Sequence, residues 1–189
     1  MKRGLLIAID GIDGSGKSTV AKELARALRS KGMRVVLTKE PTRSKAGLFA
    51  RKLAEVSTDD HIQAVFADDR ARHVKKVILP ALNSKSIVIC DRYVLSSLCC
   101  SHDQKFARKV NSSFSAPDIS VVLDVPVSVA LKRLRKKGIS SMFEAEKELE
   151  RVRKNYLKCK SVLKLDGTSS IEELVWKITK EIKKFNPGL

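Results

Sequence analysis

The sequence predicts an α/β domain, a doubly wound sheet of five parallel strands flanked by helices, and three observations predict it. Short, nearly continuous apolar runs recur along the chain and alternate with stretches whose apolar residues fall at helical spacing. A glycine-rich segment joins the first apolar run to the first helical stretch. At 189 residues the chain is long enough to bury a full core as one domain, residues 1–189, with no repeat, low-complexity tract or linker to divide it.

The apolar runs are Leu5-Leu6-Ile7-Ala8-Ile9, Val35-Val36-Leu37, Ile87-Val88-Ile89, Val121-Val122-Leu123 and Val162-Leu163-Lys164-Leu165. The first four lack polar alternation, as expected of strands covered by helices on both faces. Between them, Val20, Leu24, Ala27 and Leu28 recur at helical spacing, and so do Ile62, Val65, Phe66 and Ala67. Ser169 with Glu172, or Ser170 with Glu173, offers a capping box for a last helix. Repeated β-α units favour a parallel sheet, with ligands held at the C-terminal ends of its strands.

Composition narrows the setting. No apolar run approaches the ~20 residues of a membrane span. Met1-Lys2-Arg3-Gly4 leads directly into the first strand, so a signal peptide is not expected and a cytoplasmic location is. Cys90, Cys99, Cys100 and Cys159 show neither a CxxC pair nor zinc-site spacing, and reduced thiols are expected. The formal net charge of +17 attracts polyanions, which keeps non-specific nucleic-acid contact open and equally draws in nucleotide phosphates. Between Leu131 and Lys160 there are 11 Lys/Arg against 4 Asp/Glu, so part of the excess is local.

Gly11-Ile12-Asp13-Gly14-Ser15-Gly16-Lys17-Ser18, followed by Thr19, matches GxxxxGK[ST] in full, with a strand before it and a helix after. Glycines let backbone N–H groups curl around phosphate oxygens, and the helix N-terminus adds partial positive charge. In this pattern Lys17 neutralises the β- and γ-phosphates and Ser18 offers its hydroxyl to Mg²⁺, so ATP with Mg²⁺ is the expected co-substrate. Such loops serve kinases, GTPases and transport ATPases alike, so the acceptor must be read elsewhere. Two strands end in carboxylates suited to Mg²⁺ or its waters, at Asp91 and at Asp124. Asp91 is preferred because Arg92 follows it, where a guanidinium would stand beside the transferred phosphate.

Asp91-Arg92-Tyr93 followed by Ser96-Ser97 resembles the DRY-xx-S signature of the thymidylate kinases. Glu40-Pro41-Thr42 resembles their loop after the second strand, and Ala64-Val65-Phe66-Ala67-Asp68-Asp69-Arg70 their base-binding helix. Pro117-Asp118-Ile119 through Leu123-Asp124-Val125 and Val129-Ala130-Leu131 resembles the approach to their lid. Phe143-Glu144 with Glu150-Arg151-Val152 resembles the helix leaving it, which places a basic lid at about residues 133–143.

The resemblance implies a kinase that transfers the γ-phosphoryl group of ATP to dTMP, working as a homodimer. It implies that Phe66 stacks on the pyrimidine, Arg70 bonds the base edge and Asp13 approaches the sugar 3′-hydroxyl. Phe66 also reads as a core residue beside Ile62 and Val65, and Arg70 as a surface ion pair with Asp68 or Asp69. Arg43, Arg51 and Arg92 would gather the acceptor phosphate, with Glu40 holding one of them, while Ser96 would also bind the acceptor and Cys100 would stand by the sugar.

The chain departs from the family pattern in three places. Cys99-Cys100-Ser101 stands where a Tyr crowds the sugar 2′ position, which predicts weaker discrimination between deoxy and ribo acceptors. Gly14 and Met142 occupy the two positions from which the family supplies a transition-state arginine. Arg133, Arg135, Lys136 and Lys137, hinged at Gly138, enter the lid, and one of the last three is expected to close over the phosphates. Lys39 replaces an Arg before Glu-Pro and loses its bidentate fork. The alternatives are a kinase for dUMP, UMP or dGMP, and a nucleic-acid-associated ATPase.

Overall fold

In the computed structural model, residues 3–56, 61–136 and 143–185 are described. Five parallel strands form one sheet in the order β2-β3-β1-β4-β5: β1 Leu6–Asp10, β2 Val35–Lys39, β3 Ile87–Asp91, β4 Ile119–Asp124 and β5 Leu163–Asp166. The predicted doubly wound α/β architecture is therefore the observed one. Every strand is where an apolar run predicted it, shifted or extended by a few residues so that all five end on polar side chains. Those ends are aligned: Ile9 and Lys39 pair with Asp91, and Asp124 pairs with Asp166.

Helices cover both faces of the sheet. On one side α1 (Lys17–Arg29) and α9 (Ile171–Phe185) pack Val20, Leu24, Leu28, Leu174, Ile178 and Ile182 against Ile7, Ile9 and Val121. Ala21 and Ala25 share this α1 face, whereas Ala27 is only half-buried, because a full core stripe drifts around a 3.6-residue helix. Ser170 caps α9, accepting from the Glu173 N–H at 3.1 Å, which selects the second of the two predicted boxes. On the opposite side Ile78, Ala81 and Leu82 cover Leu6, Ala8, Val88 and Cys90. They follow α2 (Lys45–Val56) and α3 (Ile62–His73), which passes through one π-helical turn (Val74–Ile78) into α4 (Leu79–Asn83). A third apolar cluster joins the phosphate loop, through Ile12, to α7 (Val127–Arg135) and α8 (Phe143–Lys158). The short helices α5 (Val94–Cys100) and α6 (Gln104–Asn111) complete the C-terminal rim of the sheet.

The helix α3 departs from the apolar pattern expected of it. It buries Gln63, Asp69, Arg70 and His73 along with Ile62 and Ala67, while Val65 and Phe66 stay half-buried. A helix that turns polar groups inward must satisfy them there: Arg70 and His73 meet the carboxylate of Glu40, and Asp69 accepts from Thr42 and Ser44.

Candidate active site

The phosphate loop leaves β1 and closes at the start of α1. Its shape depends on glycine at two tight places. Gly11 has φ +144°, and a Cβ there would lie 2.6 Å from the Leu123 carbonyl oxygen. Gly14 has φ +81°, and a Cβ would lie 2.5 Å from the Ala130 carbonyl oxygen. Gly14 therefore sits against the backbone of α7, and an arginine at this position would meet both strain and collision.

Lys17 is buried at the loop's centre and donates to the Ile12 carbonyl at 2.7 Å. Burial first, and then the Arg92 charge, lower its ammonium to about 8; phosphate oxygens would reverse that shift by compensating the charge. Thr19 is exposed beside the loop. Arg133 on α7 donates to the carbonyls of Gly14 at 3.2 Å, Ser15 at 3.3 Å and Gly167 at 3.2 Å. Its guanidinium braces the back of the loop rather than standing out in the lid. Arg135 and Lys136 are exposed at the end of α7, and Lys137, Gly138 and Met142 lie outside the described residues.

The two carboxylate candidates separate in the folded chain. Asp91 accepts a short hydrogen bond from the Ser18 hydroxyl. Asp124 is held by Arg153 of α8, at 2.6 and 2.9 Å. Ser18 and Asp91 thus put hard oxygen ligands side by side at the phosphate loop, a donor set that fits Mg²⁺. Asp124 is an ion-paired strand end.

Arg92, at φ 71°, turns its side chain from β3 toward the loop, where it bonds Asp13 and donates from Nη1 to the Ser96 hydroxyl at 3.2 Å. A non-glycine residue in the left-handed region is a local strain of the kind found at functional positions. Burial lowers the Arg92 pKa, but the neighbouring acidic groups, Asp13 first among them, together outweigh it and the net shift is upward, so the cation is secure. Asp13 also lies 3.9 Å from Lys17.

Arg70 is buried, which overturns the alternative reading of it as a surface ion pair with Asp68 or Asp69. Arg72 takes Asp68 at 3.1 Å, and Asp69 accepts from Thr42. Arg70 instead donates from Nε to Glu40 at 2.7 Å, bonds Asn111 and donates to Ser97 at 3.2 Å. Its guanidinium lies between the rings of Tyr93 and Phe114, at 5.5 and 5.6 Å. This corrects a second expectation. Glu40 holds none of Arg43, Arg51 and Arg92; it holds Arg70, and His73 donates to its other oxygen at 2.9 Å. The reason is electrostatic: a carboxylate buried at the end of β2 needs buried partners, and the inward face of α3 supplies two.

Other expected residues spread over the rim. Arg43 lies with Ser18, Lys39, Asp69 and Asp91 in the wall of a cleft of about 630 Å³. Arg51 is exposed on α2 and is not part of that wall. Phe66 is half-buried one turn before Arg70, leaving ring surface for a ligand. Ser96 is buried, and Cys100 is half-buried close enough to Arg92 and Asp13 to feel both charges. The sequence reading assigned no site role to Asp10, Ser97, Asn111, Arg151 and Tyr156, which fix these groups from behind, although Ser97 and Arg151 stand within the motifs that carry the resemblance. Ser97 and Tyr156 carried a signal, being a polar residue in the Ser-Ser element and one of only two tyrosines. Asp10 and Asn111 carried none.

The sequence matches the profile of a family described as "Thymidylate kinase" over residues 9–178. It is 43% identical to a "Probable thymidylate kinase" of Pyrococcus horikoshii, covering 91% of this chain and 92% of that one. It is 35% identical to one of Archaeoglobus fulgidus over 96% of each chain. It is also 36% identical to a "Thymidylate kinase" of Akkermansia muciniphila, over 100% of this chain and 96% of the other.

Proposed function

The chain belongs to the thymidylate kinase family, and we infer that its reaction is transfer of the γ-phosphoryl group of ATP to dTMP, giving dTDP and ADP for dTTP synthesis. Neither a different monophosphate acceptor nor a nucleic-acid-dependent ATPase is favoured by that membership.

The observation that carries the reading is the meeting of two halves at the C-terminal ends of β1 and β3. The phosphate loop stands with Ser18 against Asp91, and next to Asp91, Arg92 reaches across to Asp13. In this proposal Lys17 and the loop amides hold the ATP phosphates, with Arg133 bracing the loop from behind. Ser18 and Asp91 would hold Mg²⁺, which when bound neutralises charge on the β- and γ-phosphates. Arg92 and Arg43 draw the acceptor phosphate toward the loop. Phe66 stacks on the base, Arg70 donates to its edge, Asp13 and Cys100 adjoin the sugar, and Ser96 serves the acceptor site through its bond to Arg92. Arg51, on α2 and outside the wall of the cleft, has no defined part in this proposal. No covalent intermediate is required, since positioning and charge neutralisation suffice. Closure of a lid at about residues 133–143 would exclude water and suppress wasteful hydrolysis.

In this proposal the protein works in the cytoplasm as one domain, with nucleic acid bound only non-specifically. No helix among the described residues is long and apolar enough to cross a membrane. A homodimer is part of the proposal, supported by Leu48, Phe49, Val77 and Leu79, which are exposed on the single chain. The reading is tested by coupled ADP release with ATP and Mg²⁺ against dTMP, dUMP, UMP, dGMP and AMP. Preference for dTMP is expected; release without acceptor, or equal with all five, would overturn it.

A further inference from the structure

Behind Arg92 lies a buried junction of hydroxyls. Ser96 on α5 is 8% exposed, Tyr156 on α8 2% and Asp10 on β1 0%. The Ser96 oxygen meets three groups: Arg92 Nη1 at 3.2 Å, Asp10 Oδ1 at 2.5 Å and the Tyr156 hydroxyl at 2.9 Å. A serine hydroxyl has one proton and two lone pairs. It gives its proton to Asp10 and accepts from Arg92, so the Tyr156 hydroxyl donates to its remaining lone pair. The junction is then saturated, and each bond constrains the others.

The Tyr156 ring is itself fixed, packed in the apolar cluster with Ile12, Val122 and Val152. Two neighbours on α8 bind the same short helix. Arg151 donates to the carbonyls of Cys100 and, at 3.1 Å, Ser101, and Asn155 donates to that of Cys99 at 2.9 Å. Thus α8, which follows the expected lid in the chain, grips α5 along its length and touches Arg92 through one hydroxyl.

We propose that Tyr156 is a positioning residue for phosphoryl transfer: by donating to Ser96 it holds the Arg92 guanidinium at the acceptor phosphate, so the seating of α8 sets the grip on the acceptor. The inference rests on the reading of Arg92 as an acceptor-phosphate ligand.

Affinities for dTMP and for thymidine, the same ligand without its phosphate, separate this role from a merely structural one. Tyr156→Phe keeps the ring and deletes the hydroxyl. It is expected to weaken dTMP about tenfold, the equivalent of ~1.4 kcal/mol, with thymidine affinity and the KM for ATP unchanged. Ser96→Ala should lower the dTMP-to-thymidine ratio similarly, and the double variant should be no worse than Ser96→Ala alone, because Tyr156 acts through Ser96. Each comparison is a ratio on one preparation, so partial unfolding of a variant does not alter it. Equal weakening of both ligands, an unchanged ratio, or additive effects in the double variant would overturn the proposal. A wild-type protein that binds dTMP no better than thymidine would sink the acceptor-site reading, and this inference with it.

Discussion

Asp10 is a buried carboxylate with one oxygen given to Ser96 and the other, Oδ2, without a partner among the described residues. Burial raises its pKa above the ordinary 3.8, although Ser96 and Arg92 pull the other way. A carboxyl group with a raised folded-state pKa takes up a proton on folding. Its contribution to stability is therefore full below 3.8 and is lost as pH rises through the window up to the raised value. Asp10→Asn, which cannot titrate, should show a shallower loss of stability across that window, measured as urea midpoints from acid to neutral pH. Parallel curves for the two proteins would refute the shift. At Cys100 the residue itself is the prediction. A thiol leaves space where a tyrosine would meet a ribose 2′-hydroxyl, so the wild-type protein should discriminate poorly between dUMP and UMP. Cys100→Tyr should raise the kcat/KM ratio of dUMP to UMP by about ten- to a hundredfold. A wild-type enzyme already strongly selective for the deoxy acceptor would contradict the idea.

At the scale of elements, α3 and α7 each bring cations to the site for different ends. The inward face of α3 delivers Arg70 to Glu40 and to two aromatic rings, so its guanidinium is oriented before any ligand arrives. Preorganisation of this kind lowers the entropy lost on binding. The last turn of α7 commits Arg133 to the loop carbonyls. With Gly14 pressed against Ala130, the loop has no room for a transition-state arginine, and in the proposed mechanism the missing charge is assigned to a residue beyond Arg133. Single alanine variants of Arg135, Lys136 and Lys137 should identify it. At least one should lower kcat by about 10³-fold at saturating ATP and dTMP. Three unchanged turnover rates would remove the lid from the catalytic account.

Across the whole molecule, the charge of +17 and the exposed apolar side chains have separate consequences. The charge draws in nucleotide phosphates by long-range attraction that added salt screens. The apolar residues Leu48 and Phe49, 47% and 60% exposed, project from α2 with no described cover. Sedimentation at micromolar concentration should give a dimer, and Phe49→Glu should shift it toward monomer, since an unpaired buried charge disfavours association. An unchanged dimer would place the interface elsewhere.

The sequence by itself determined those features whose parts are close along the chain. Five apolar runs between helical stretches were enough for the parallel sheet, because burial on both faces leaves strands without polar alternation. The phosphate loop was legible for the same reason: its glycines, Lys17 and Ser18 are consecutive, and their chemistry depends on local backbone conformation. Tertiary structure alone decided which arginine Glu40 holds and which hydroxyl stands behind Arg92, and it brought Asp91, already preferred in the sequence for its neighbour Arg92, to Ser18. Asp91 and Asp124 both end strands, and only the order of those strands in the sheet brings one to Ser18 and leaves the other to Arg153. Glu40 and Arg70, or Ser96 and Tyr156, come from different elements, and their pairing follows from how burial forces polar groups to find one another. Neither spacing nor composition records that requirement, because it arises only when the helices close on the sheet and water is excluded.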